Sequence, residues 1–220
     1  MAPKYTPPTA KELAEYNTAF YALLHETAKR DGNLVGRIPL VTKQDADPLQ
    51  RKLLENTEAD GRPVGVGPTT MFMQNLELSN LFSQVLHYIN LKSTLAARHK
   101  EIAILLTARF WSSDFEWYAH APAARLAGVS EAAIEAIRQG RTPPAGSLRD
   151  DERPLYELVW QLLNNKRVDD ATFKQCMEVY GSVTLFETIV ITAYYCMVSL
   201  CLNLDELPLP PGAKDTLPKL

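Results

Sequence analysis

The side chains best suited to proton chemistry stand in one stretch, Ser113-Asp-Phe-Glu116-Trp-Tyr-Ala-His120. Glu116 and His120 are four residues apart. On a helix that spacing puts their Cβ atoms about 5–6 Å apart on one face. A carboxylate so placed orients an imidazole and raises its pKa, which is the minimum needed for proton transfer near neutral pH. The same residues also fit a plainer role. Ser113-x-x-Glu116 reads as a capping box, with Ser113 at the N-cap and Glu116 at the third helical position. Glu116 and His120 then make an ordinary surface pair contributing about 0.2–0.5 kcal/mol. His87 and His99 read as packing or surface residues.

Other chemistries find no support. The sequence has no glycine-rich phosphate loop, no HExxH and no GxSxG, so neither a nucleotide cofactor nor a metal is expected. Its three cysteines, Cys176, Cys196 and Cys201, include no CxxC. They read as reduced thiols of a cytoplasmic protein, acting as small core hydrophobes. Lys and Arg number 23 against 26 Asp and Glu, a net charge of −3. With no basic run longer than a pair, no nucleic-acid partner and no membrane surface is expected. The N-terminus lacks a signal-peptide apolar core. The most hydropathic uncharged stretch, Thr188 to Leu204, falls short of the roughly 20 residues of a bilayer span and reads as a buried core helix.

The elements that must position these residues are helices. With 46% hydrophobic and 22% charged residues in a chain of 220, a full globular core is available. Periodicity and the glycine and proline punctuation predict helices at about 10–29, 49–58, 72–90, 95–111, 113–127, 130–139, 152–165, 170–180 and 182–203. The fold class is therefore all-α, a compact multi-helix bundle. Gly128, Gly140 and Gly181 stand at C-terminal caps, and Ser130, Asp169 or Asp170, and Ser182 at N-caps. Three segments are expected: an N-terminal helix and wrapping arm over 1–60, a helical domain over 61–207 and an extended tail over 208–220. The irregular stretch 31–71 is long enough to wrap the core or to contribute to a site. Within the helix that carries the pair, Ala123 and Ala127 leave room for a small ligand beside Glu116 and His120. Pro122 removes the partner of the Tyr118 carbonyl, which predicts a kink or bulge.

The stretch RHKEIAILLTARFWSSDFEWYAHAPAARLAGVSEAAIEAIRQG, with GPTTMFMQNLELSNLFSQVLHYIN before it and VYGSVTLFETIVITAYYCMVSLCLNL after it, resembles the carboxymuconolactone decarboxylase and alkylhydroperoxidase-D-like superfamily. The resemblance covers about residues 34–205. In that superfamily's peroxidase branch a Glu is followed, after eleven residues, by C-x-x-C-x-x-x-H. Here Glu101 stands at the Glu, Ser113 at the first Cys, Glu116 at the second and His120 at the His. Thiolate peroxide reduction cannot run on Ser and Glu. The pattern resembles the decarboxylase branch instead, in which Glu and His handle protons.

The resemblance implies a cofactor-independent carboxy-lyase acting on a small cyclic, lactone-type carboxylic acid, with Glu116, His120 and Glu101 as catalytic residues. An isomerase, dehydratase or lactone hydrolase on the same site, and a non-catalytic ligand-binding protein, are the alternatives. His120 polarises the lactone oxygen or delivers the proton. Glu101 carries a second proton or orients His120, or else pairs structurally with Arg98 or Lys100. Ser113, Trp117 and Arg109 are the expected substrate-binding residues, with Arg125 and Arg98 as further cations for the substrate anion. Trp111, Phe115, Trp117 and Tyr118 offer a pocket wall, and Tyr194 or Tyr195 a hydroxyl facing the site. The resemblance further implies a homo-oligomer, a trimer or a multiple of it, with a dimer also open.

Overall fold

A computed structural model describes residues 5–59 and 65–219. Among these the secondary structure is helical throughout: α1 (Ala10–Asp31), α2 (Pro48–Ala59), α3 (Thr69–Phe72), α4 (Leu76–Leu91), α5 (Ala97–Phe110), α6 (Asp114–Leu126), α7 (Glu131–Arg138), α8 (Arg153–Asn165) and α9 (Asp170–Asp205). The expected all-α class is what the chain adopts. The expected boundary between residues 60 and 61 lies outside the described residues.

Helix α5 is the axis of the bundle. It packs against α6, α7, α8 and α9, and every residue from His99 to Arg109 is buried. Ile102, Ala103, Leu105 and Ala108 join the main core with Trp117, Ala121 and Ala124 of α6. A helix enclosed on all sides cannot keep its polar side chains in water, so each must find a partner inside. The Lys100 ammonium donates to the Ile89 carbonyl at 3.0 Å, and burial pushes its pKa down to about 8. His99 Nε2 lies 2.7 Å from the Asp151 carbonyl, with its ring edge-on to Tyr5 and Tyr180.

One predicted element changes shape. The expected helix 72–90 is divided, because Asn75 accepts from the Leu78 amide and caps a fresh start. The two helices expected on either side of Gly181 are both formed and meet within α9 at a kink, where Gly181 takes a left-handed φ of +75° with ψ 173°. That element is long and apolar enough to cross a membrane by length and composition, yet half of its most apolar window is packed inside the fold. Helix α6 runs on through Pro122 without interruption.

The N-terminal arm is tied to the far end of α9. Asp205, buried at the last position of α9, accepts from the Ile38 amide at 2.6 Å and the Thr70 hydroxyl at 2.8 Å. Its carbonyl accepts from the Arg37 amide at 2.6 Å. Gly36 is required at this crossing, because a Cβ there would meet the Asp205 carbonyl oxygen at 2.3 Å. The C-terminal tail is non-helical among its described residues, turns where the Ala213 amide donates to the Pro210 carbonyl, and is docked. Asp215 accepts from Trp117 Nε1 and Arg125 Nη1, and Leu217 is buried.

Candidate active site

The site is built where α1, α5, α6 and α9 meet. Helix α5 turns into α6 through Ser112, which holds a left-handed φ of +49°. That turn brings α6 back along α5 and sets His120 against Glu101. His120 Nδ1 lies 2.9 Å from Glu101 Oε2. On its other side His120 Nε2 lies 3.3 Å from Glu116 Oε1. All three side chains are at least nine-tenths buried. The imidazole is thus clamped between two carboxylates. The closer contact, to Glu101, has hydrogen-bond geometry, which fixes the ring and leaves Nε2 the less constrained nitrogen.

The capping role expected for Ser113 and Glu116 is not taken up. Ser113 occupies the N-cap position, but its hydroxyl caps nothing and is buried without a partner. Glu116 turns along the helix to His120 instead of back to the N-cap. Nor does Glu101 pair with its neighbours in sequence. Arg98 is held by Asp151 and Glu152, and Lys100 by the Ile89 carbonyl. Glu101 instead accepts a 2.7 Å hydrogen bond from the Tyr16 hydroxyl of α1. The result is a chain, Tyr16–Glu101–His120–Glu116, running from the arm into the core.

Burial and mutual charge set the proton affinities. Desolvation pushes the Glu116 carboxyl up to about 7, against the pull of His120 and with a further push from Glu101. Burial drags His120 down, but the field and hydrogen bond of Glu101, with Glu116 alongside, outweigh it and leave the pKa above its ordinary value of 6.5. A buried acid near neutrality beside an imidazole that favours its protonated form is a proton store at working pH.

A cavity of about 540 Å3 opens beside this chain. Of the three charged members, His120 alone is among the described residues lining it. Its walls come from Phe20, Leu24 and Ala28 of α1, Leu34 and Leu54 of the arm, Val66 and Phe72 in and just before α3, Phe115 and Ala119 of α6, and Tyr194, Tyr195 and Val198 of α9. The Phe20 and Tyr195 rings flank the imidazole at centroid distances of 5.5 and 5.0 Å. At the rim, α1 is fastened to α6: Asp31 accepts from the Tyr118 hydroxyl at 2.8 Å, and Arg30 contacts both. No Lys or Arg is among the described lining residues.

The expected substrate-binding residues lie elsewhere. Trp117 is wholly buried and donates to Asp215 of the tail at 3.3 Å. Arg109 donates to the Pro218 carbonyl at 3.2 Å, and Arg125 is held by Glu131 and Asp215. Neither they nor Ser113 reach the cavity wall. Trp117 follows Glu116 by one residue and so points about 100° away around the helix, which turns it toward the tail. Conversely, Tyr16 and Phe20 of α1 belong to the site without any local motif that marks them. Leu13, Asn17 and Phe20 are buried at helical spacing on α1, and that stripe was the available signal that α1 covers something.

The sequence matches no family model. It matches no curated protein. Solved structures do share its fold. One is an uncharacterized peroxidase-related protein from Silicibacter sp. TM1040, 14% identical, matching 81% of this chain and 92% of that one with a TM-score of 0.62. Another is the alkylhydroperoxidase AhpD core of an uncharacterized peroxidase-related protein from Ralstonia eutropha JMP134, 14% identical over 81% of this chain and 93% of that one, TM-score 0.61. The chain therefore has the alkylhydroperoxidase-D-like helical fold.

Proposed function

We propose that this protein is a cofactor-independent acid–base enzyme in which His120, held by Glu101 and Glu116, exchanges protons with a small molecule in the adjoining cavity. The observation that carries this reading is the buried imidazole, clamped on both nitrogens and opening onto a largely apolar cavity. A structural salt bridge has no need of such a space. Thiol peroxidation finds no support in the geometry. The three cysteines are free and lie on α9, and none is among the cavity's lining residues. Burial raises the pKa of each, Cys176 to about 12, and so keeps the thiolate scarce.

The reaction we favour is loss of CO2 from a small cyclic, lactone-type carboxylic acid. The apolar walls strip water from the substrate carboxylate and favour a transition state in which its charge spreads into a conjugated ring. The pair of electrons of the breaking C–C bond moves into the ring, CO2 leaves, and the resulting dienolate takes a proton from His120 Nε2. The imidazole is then reprotonated from solvent, with Glu116 as the adjacent carrier. Glu101 holds Nδ1 throughout, fixing the ring as a second carboxylate does in other imidazole sites. One observation favours a second reading, an isomerase. Glu116 near neutrality can take a proton as readily as give one, and isomerisation needs both directions.

The test is CO2 release from carboxymuconolactone. Release by the wild type that falls by about 10²–10⁴-fold in His120→Ala supports decarboxylation. Conversion without gas release supports the isomerase. Undiminished turnover in His120→Ala overturns both.

A further inference from the structure

We infer that the Tyr195 hydroxyl is the hydrogen-bond donor that holds the ligand's carbonyl oxygen beside His120, and that the site takes an apolar carbonyl compound, such as a ketone, enone or lactone, whose enolate it stabilises. The inference rests on the proton-transfer reading and adds the substrate class. Tyr195 lines the cavity and meets the His120 ring at 5.0 Å and 82°, edge against face. It is only 8% exposed. A buried tyrosine hydroxyl ordinarily finds a partner. Those of the buried Tyr5 and the partly buried Tyr16, Tyr118 and Tyr180 all do. The Tyr195 hydroxyl bonds to no described residue, so its donor is available to a molecule in the cavity that Tyr195 lines. Tyr194 also lines the cavity without such a bond, but it packs on Phe82 rather than on the imidazole.

The chemistry of the donor follows from its surroundings. Burial and the nearby Glu116 and Glu101 charges hold the Tyr195 pKa well above 10. The phenol therefore stays protonated and can only donate. A neutral donor binds a ketone oxygen weakly and an enolate oxygen strongly, so its contribution grows as charge develops. In the step, a proton leaves the carbon next to the carbonyl for neutral imidazole Nε2. The C–H pair becomes the new C=C bond, and the carbonyl π pair moves onto the oxygen held by Tyr195. Return of a proton to carbon reverses each movement. In decarboxylation the C–CO2 pair takes the same route. With no Lys or Arg among the described lining residues, a neutral carbonyl group suits the walls better than a second carboxylate.

The experiment is proton exchange of 2-tetralone in D2O, followed by loss of its α-proton NMR signal. The wild type is expected to accelerate exchange. Tyr195→Phe, which keeps the ring packing, is expected to slow kcat by about 10²–10³-fold with a smaller change in KM, while melting as the wild type does. If Tyr195→Phe exchanges as fast as the wild type while His120→Gln does not, this inference is wrong and the proton-transfer reading stands. If the wild type releases CO2 from carboxymuconolactone but leaves 2-tetralone unexchanged, the carbonyl assignment alone falls. Exchange that survives His120→Gln removes the proton-transfer reading itself.

Discussion

At the scale of single residues, a low-dielectric site sets how protons divide between His120 and Glu116. Two carboxylates flank one imidazole, and all three are buried, so the protonated imidazole is the form the site favours. Decarboxylation uses that form as the donor. The rate is therefore expected to be highest at low pH and to fall as pH rises through the His120 pKa, above 6.5. Glu116 helps to raise that pKa. Glu116→Gln is accordingly expected to move the descending limb to lower pH, and a pH–rate profile of the two proteins checks this. A limb that stays in place would show that Glu116 does not couple to His120. Much of this was legible in the sequence, since i, i+4 spacing on a helix is local geometry. The choice between cap and proton carrier was not. It depends on burial: a carboxylate sealed from water by α1 and α9 finds more in an imidazole than in a backbone amide.

At the scale of elements, α1 completes the site. It gives Tyr16 to Glu101 and Phe20 to the imidazole face, and it walls the cavity. Tyr16→Phe leaves a buried carboxylate oxygen without its donor and is expected to lower stability by about 1.5–3 kcal/mol, as hydrogen bonds to charged groups do. Denaturant midpoints measure it, and a loss below about 0.5 kcal/mol would mean that α1 is merely laid over the site. Helix positions were legible from glycine, proline and apolar periodicity, and the bounds of α6, α7 and α8 differ little from expectation. What α1 touches was not, because Tyr16 and Glu101 are 85 residues apart and no local pattern records such a pairing. Arg109 and Trp117 mislead for the complementary reason. They are close to the pair in sequence, but the docked tail claims them both.

At the scale of the whole molecule, the fold leaves apolar surface uncovered. Leu78, Leu81 and Val85 of α4 are exposed, as are Val183, Phe186 and Ile189 of α9, Phe186 at 69%. Clustered apolar exposure of this kind marks contact surfaces. We propose that copies of the chain associate through it. Light scattering is expected to give a multiple of the 24.6 kDa chain mass, and Phe186→Asp to shift it toward one chain. A wild-type monomer at micromolar concentration would refute the association without touching the site. The site itself is tested most directly by nitrogen NMR of histidine-labelled protein, followed through pH with and without 2-tetralone. The His120 resonance is expected to titrate above 6.5 and to shift when the ligand enters the cavity. A His120 that titrates at or below the value of a free imidazole, and ignores the ligand, would contradict it.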